Sequence, residues 1–363
     1  MAMENTTGLS REFIIHPGEI LMEFLDEREM NQKELAIRTG FSEKHISSVL
    51  NGKNDISSAF VKKLEYALGI DYIFWMNLQN NYDKDIMKYE ELHNITDEEF
   101  LIVKRLKNIL SAYEKNNFIS SNLSNVNEVM ELRHIFNISN LVDIPKLNHI
   151  GAYRIKNNNN VDPYIMFAWE KYCELIDKNE IENELDIERL KSSIPIIKSI
   201  MFHDDKNIIN DLKKEFAKCG IKFYLMKYYT GAPVQGYIKH NDQNGISLYI
   251  TNRGAFADIF WFSLFHEIAH IINGDAKNRF IDFVDRTELI EKKADDKAAE
   301  YLIPKLNYIN FIKKNNFSIE TILKFSEENK IKPFICLGRL MKDGILDWNS
   351  YPEFRKTYKF NEE

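Results

Sequence analysis

The residues with the clearest chemical potential are His266, Glu267 and His270, within Phe260-Trp-Phe-Ser-Leu-Phe-His-Glu-Ile-Ala-His-Ile-Ile-Asn-Gly274. Positions four apart share one helix face, so two imidazoles at this spacing can each offer a ring nitrogen to one metal ion. Glu267 falls one residue round, placed to take a proton from water at that metal. The competing explanation is two core histidines that happen to fall four apart, in a chain with nine. A third ligand decides between the two.

The elements that must position these residues are legible around them. Asp258 is the expected cap of the helix, and Asn273-Gly274 a left-handed stop. The face is too apolar for a surface, so both histidines are expected to be buried, where a neutral imidazole needs a partner. Upstream the period changes. Residues 221–229 are β-rich, 234–239 form a second strand and 246–251 a third, with turns between. The edge of such a sheet suits an extended peptide held by strand addition.

The third ligand is expected from residues 285–304, where Ala294, Ala298 and Leu302 make a small-residue face that allows close approach. Glu291 lies on that side, with Asp295 at i+4 as a carboxylate to orient a ligand histidine. Glu288 is the rival ligand, and no histidine follows His270. Tyr237 and Arg253 are candidate second donors to an oxyanion.

At the other end, Asn31 caps a helix with Glu34 three residues on, and Gly40 ends it. Ser42 then caps 43–50. A helix, a glycine turn and a second helix at this spacing make a helix-turn-helix. Its candidate DNA contacts are Gln32 at the start of the first helix, then Ser42, Lys44, His45, Ser47 and Ser48. Asn51 and Lys53 lie just beyond. Twelve acidic residues against eight basic ones within 1–80 leave the module without the usual basic footprint. The lysines at 44, 53, 62 and 63 nonetheless cluster toward the reading side.

Between the ends, 83–97 reads as a linker or exposed helix. Helices follow over 97–110, 125–150 with breaks, 163–177, 186–202 broken or kinked near Pro195, and 205–219. Tyr164, Phe167, Trp169 and Tyr172 fall at core spacing and are read as packing. The polar stretch Asn157–Asn160 is a loop.

The 363 residues suit two or three domains, and 44% hydrophobic content supports real cores. A net charge of −7 argues against a general nucleic-acid coat. Three scattered cysteines, no apolar leader and no membrane-length run suggest a cytoplasmic protein without disulfides.

Two resemblances add to this reading. His16-Pro17-Gly18-Glu19, Gln32-Lys33-Glu34-Leu35-Ala36, Ile46-Ser47 with Leu50-Asn51-Gly52, and Phe74-Trp75-Met76-Asn77-Leu78-Gln79 with Tyr82-Asp83 resemble the Xre/Cro-type helix-turn-helix of HigA-family antitoxins. The His-Glu-x-x-His run resembles the ImmA/IrrE family of zinc metallopeptidases, together with Glu291, Ala294-Asp295, Ala298-Ala299, Leu302-Ile303-Pro304 and the tail Ile331 to Met341. Lys297-Ala298 stands where that family usually has Phe-Ala. The second resemblance implies Zn²⁺ held by His266, His270 and Glu291, Glu267 as general base, and cleavage of helix-turn-helix repressors.

The expectation is thus a mainly α chain. A five-helix helix-turn-helix domain spans 10–82, a helical connector 83–215, and an α+β metallopeptidase domain with a small sheet 216–363. The expected activity is that of a DNA-binding regulator whose zinc endopeptidase cuts a repressor or antitoxin-like protein. A DNA operator, a toxin and a second copy of the chain are the expected partners. The alternative is an antitoxin-like regulator whose metallo-domain binds or senses a partner without cutting it.

Overall fold

A computed structural model describes residues 10–147, 161–177, 183–240, 245–252, 256–274 and 284–359. Arg253 and the Asn157–Asn160 loop lie outside the described residues. The chain divides after Phe100 into two compact units.

The first unit holds α1 (Pro17–Glu27), α2 (Gln32–Thr39), α3 (Glu43–Leu50), α4 (Ser58–Leu68) and α5 (Tyr72–His93). The starts of α2 and α3 are capped as the sequence signals, and Ser57 caps α4. Asn31 accepts the Glu34 amide at 2.9 Å, Ser42 that of His45 at 3.2 Å, and Ser57 that of Phe60 at 3.3 Å. Leu21, Leu35, Ile46, Val49, Phe60, Leu64 and Trp75 form the core. Gly18 is required where α1 meets α3, because a Cβ there would overlap the Val49 carbonyl oxygen. The Gln79 side chain binds α5 to the loop before α4. It accepts from Ile56 N at 2.9 Å and donates to Asp55 and Asp83 at 3.2 and 2.7 Å. The boundary expected at 82 falls inside α5. Residues 83–93 continue that helix because no Gly or Pro interrupts 72–93.

The second unit contains most of α6 (Asp97–Lys115), then α7 (Asn125–Phe136), α8 (Pro163–Ile176), α9 (Ile187–Ser199) and α10 (Asp205–Ala217). The strands β1 (Ile221–Met226), β2 (Gly236–His240) and β3 (Ile246–Thr251) follow. Then come α11 (Ala257–Asn273), α12 (Val284–Leu302), α13 (Lys305–Lys313), α14 (Ile319–Glu328) and α15 (Pro333–Lys342). β3 is the central strand, parallel to β1 and antiparallel to β2.

Alternation gives the sheet two buried faces. Phe223, Leu225, Ile238, Leu248 and Ile250 join the core that includes residues of α10 and α11. On the opposite face Tyr224, Tyr249 and Tyr237 stand in register and stack at 5.1 and 5.4 Å. α8 covers this face. Tyr249 donates to the Cys173 carbonyl at 3.1 Å, and Trp169 meets Tyr237 at 5.8 Å. Asp177, just beyond α8, accepts from Lys222, Tyr224 and Ser247. The aromatic residues Phe167, Trp169 and Tyr172 are buried as packing.

Two expectations are corrected here. Of the break or kink expected near Pro195, the break is absent: α9 runs through Pro195 as one helix, with Leu190 and Ile197 locked into the core on either side. Packing outweighs the lost backbone hydrogen bond. The boundary drawn at 215 cuts through one core, since Leu190, Ile197, Leu212 and Phe216 pack in the same cluster as Trp261 and Phe265. Otherwise the mainly α architecture with a small sheet is as the sequence indicates. No described helix is long and apolar enough to cross a membrane.

Candidate functional site

α11 is nearly all buried: twelve of its seventeen residues, His266, Glu267 and His270 among them. It starts two residues earlier than expected. Phe256 is the cap and offers no side-chain bond, while Asp258 lies in the first turn of the helix. The start is instead held by the far end of the chain. Ala257 donates its amide to the Lys356 carbonyl at 2.9 Å, and Trp261 its indole N–H to the Tyr358 hydroxyl at 3.0 Å. No local signal marked that C-terminal stretch as a support. Gly274, at φ 73°, ends the helix as expected.

α12 packs against α11 through Ala294 and Ala298, both fully buried. Their small side chains let the two backbones approach, and Glu291 and Asp295 reach the histidines. His266 Nε2 lies 3.2 Å from Glu291 Oε2, His270 Nε2 3.3 Å from Glu291 Oε1, and the two Nε2 atoms 2.9 Å apart. Asp295 Oδ1 stands 2.8 Å from His266 Nδ1, in a bent approach. Glu288, the rival ligand, is exposed.

These distances fit a divalent metal. Tetrahedral zinc with bonds of about 2.0–2.1 Å places its ligand atoms roughly 3.3 Å apart, and the three donors lie within 4.8 Å of one another. With Asp295 beside Nδ1, the proton of a neutral His266 belongs on Nδ1. Its Nε2 lone pair then faces a carboxylate oxygen in a buried place. Two acceptors turned toward each other need a proton or a metal ion between them. Burial alone would raise the pKa of Glu291, but hydrogen bonds and charge from His266 and His270 outweigh it and hold the carboxyl well below the usual range.

Glu267 is also buried, and Gly236 at the start of β2 makes room for it: any Cβ there would collide with the Glu267 carboxylate. Sequence reading missed Gly236, because a glycine opening a strand gives no hint of what approaches it across the fold. The other oxyanion candidate, Tyr237, is corrected. It points away from α11 into the tyrosine stack beneath α8, one residue out of phase with Gly236.

In the first unit, Gln32, Ser42, Lys44, Asn51 and Lys53 are exposed around α2 and α3. Ser47 and Ser48 are half-buried, and Ser47 accepts from the Asn51 side chain through its carbonyl at 2.7 Å. His45 is not a free reading residue. Its ring stacks on Phe41 at 4.7 Å and meets Phe60 edge-on at 5.3 Å, with Nε2 buried. The same short helix thus carries outward polar residues and this inward wedge.

Comparison with known proteins bears on this first unit. Residues 21–75 match the family model described as Helix-turn-helix. A solved structure of an antidote protein of a plasmid maintenance system from Nostoc punctiforme is 31% identical, over 23% of this chain and 97% of that one, with a TM-score of 0.20. An addiction module antidote protein of a HigA family from Coxiella burnetii is 28% identical, over 28% of this chain and 91% of that one, with a TM-score of 0.19. No curated protein matches the chain. With its capped helices, its glycine turn and the family match together, the stretch 21–75 is a helix-turn-helix domain.

Proposed function

We propose that the chain is a DNA-binding regulator of antitoxin type that carries a zinc-dependent endopeptidase in its second unit. The observation that carries this reading is the convergence of His266, His270 and Glu291 on one point, with Asp295 behind His266 and Glu267 beside it. The resemblance of these motifs to ImmA/IrrE metallopeptidases points the same way, and names a helix-turn-helix repressor or antitoxin-like protein as substrate.

His266, His270 and Glu291 would hold the zinc, leaving a fourth position open. Zinc, when bound, makes water acidic near neutrality and polarises a peptide carbonyl. Glu267 accepts the proton of the attacking water and returns it to the leaving amine. Its burial keeps bulk water from competing for that proton, and Gly236 leaves the room that its carboxylate occupies. Asp295 fixes the ring plane of His266. In the first unit, Gln32, Ser42, Lys44, Asn51 and Lys53 are the side chains available to an operator. The likeness to antidote proteins extends the reading to a toxin partner, and paired operator half-sites call for a homodimer.

The test is Glu267→Gln in the full chain. Zinc content is expected to stay near one per chain, while fragments of the substrate protein, followed by proteomics, form slower by a factor on the order of 10²–10⁴. Unchanged fragment formation would sink the peptidase reading. A second reading, partner binding without cleavage, is favoured by the excess of acidic over basic residues in 1–80. It requires operator binding with no fragments from either protein.

A further inference from the structure

A cavity of about 510 Å³ opens between α11, α12 and α15. It adjoins the metal centre on three sides. Phe262 and Ser263 lie one turn before His266, Asp295 is the residue that touches His266, and Gln235 precedes the glycine that abuts Glu267. We propose that this cavity receives a basic side chain, lysine or arginine, of the peptide to be cut. The inference rests on the peptidase reading above and names its substrate preference.

The wall is apolar, built from Ile259, Phe262, Leu302 and Ile335. Asp258 on the first turn of α11 supplies the acceptor. Its Oδ1 is buried and has no hydrogen-bond partner. Gly338 of α15 makes space for this carboxylate, since any Cβ there would collide with it. Burial raises the Asp258 carboxyl above its ordinary range, against the pull of Arg355 and the helix-start amides. A buried carboxylate in this condition gains most from a charged donor.

Arg355 acts on Asp258 from outside the lining, its guanidinium lying over the Phe256 ring at 4.0 Å and donating to the Trp348 carbonyl at 3.4 Å. Asp295 faces His266, and the remaining charges are committed or lie at the mouth. Arg339 donates to the Ala299 and Ile303 carbonyls at 3.2 and 3.4 Å and lies over the Tyr308 ring at 3.9 Å. Asp343 accepts from the Tyr308 hydroxyl at 2.6 Å. Lys292, Asp296 and Lys342 are exposed, with the Lys342 ammonium 4.2 Å from the Phe262 ring centre. An aliphatic stem along Phe262 with a cationic head at Asp258 satisfies both the wall and the acceptor.

The test uses the full-length, zinc-loaded protein and three probes in calorimetric titrations: Nα-acetyl-lysine amide, Nα-acetyl-norleucine amide and agmatine. The lysine amide is expected to bind about tenfold or more tightly than norleucine amide, which has the stem without the donor. Asp258→Asn is expected to shrink that preference to about twofold. Equal binding of the two amides to the wild type overturns the proposal, and needs no variant to fold. So does a preference that survives Asp258→Asn. Agmatine bound in the absence of lysine-amide binding would assign the cavity to a free amine and also overturn it. The readout is binding alone, so it stands apart from fragment formation by Glu267→Gln, which tests the peptidase reading itself.

Discussion

α3 and α11 both present candidate functional side chains from one helix, but from opposite sides of the surface. On α3 the candidate contacts are a capping serine, Ser42, and the solvent-exposed Lys44, and the inward face, Ile46, Val49 and Leu50, holds the unit together. On α11 the functional groups themselves face inward, where every polar atom needs a partner across the fold. The outward site depends on charge and tolerates substitution. The inward site depends on Å-scale placement by α12, β2 and the C-terminal segment. A site of the first kind is a property of one helix, and a site of the second kind belongs to the whole unit.

The sharpest way to break this contrast is at Asp295. Asp295→Asn leaves all three donors in place but loosens His266, and zinc affinity is expected to fall about 10–100-fold in competition with a chelator of known affinity. Unchanged affinity would mean that the inward site does not depend on its supports. Gly18→Ala tests whether the first unit is as tolerant in its core as on its surface. The collision with the Val49 carbonyl is expected to cost about 1–3 kcal/mol in urea unfolding of that unit. A cost near zero would show that α1 shifts freely.

On the outward face, Lys44→Ala and Lys53→Ala are each expected to weaken operator binding alike across sequences. Each should also lower the salt slope by about one. A change confined to one base position would instead make the lysine a base reader. The smallest effect is at His16, whose Nδ1 accepts the Gly18 amide at 2.9 Å at the start of α1. Burial lowers its pKa, and nearby Asp55 and Glu19 recover only part of that. A lowered histidine pKa means the folded form prefers the neutral ring. The contribution is therefore complete above the ordinary value of 6.5 and is lost as pH falls below it. Melting of the first unit is expected to drop by up to about 1 kcal/mol of stability over that range. The drop should be absent in His16→Ala, and a drop that persists there would assign the effect elsewhere.

Much of this was legible in the chain. Asn31 and Ser42 announce helix starts because a short polar side chain bonds amides two or three residues on, a local event. The strands from 221 to 251 show because β-rich runs are bounded by turn residues. The spacing of His266 and His270 and of Glu291 and Asp295 is set by helical periodicity, so the sequence determined which side chains share a face. It did not show that His45 turns inward between Phe41 and Phe60, because a helix position alone does not say what lies opposite. Nor did it show the continuation of α9 through Pro195, where burial of Leu190 and Ile197 overrides a local penalty.

The tertiary structure decided the rest. Gly236 reaches Glu267 only because β2 lies beside α11, and Tyr358 braces Trp261 from 97 residues away. Gly338 accommodates the Asp258 carboxylate only where α15 crosses α11. Each of these is a contact between segments whose separation along the chain carries no periodic signal. The sequence by itself determined the donors, their helices and their phase. The fold decided between Glu291, which the sequence favours, and its rival Glu288, because the buried alanines of α12 turn one carboxylate inward and leave the other in solvent.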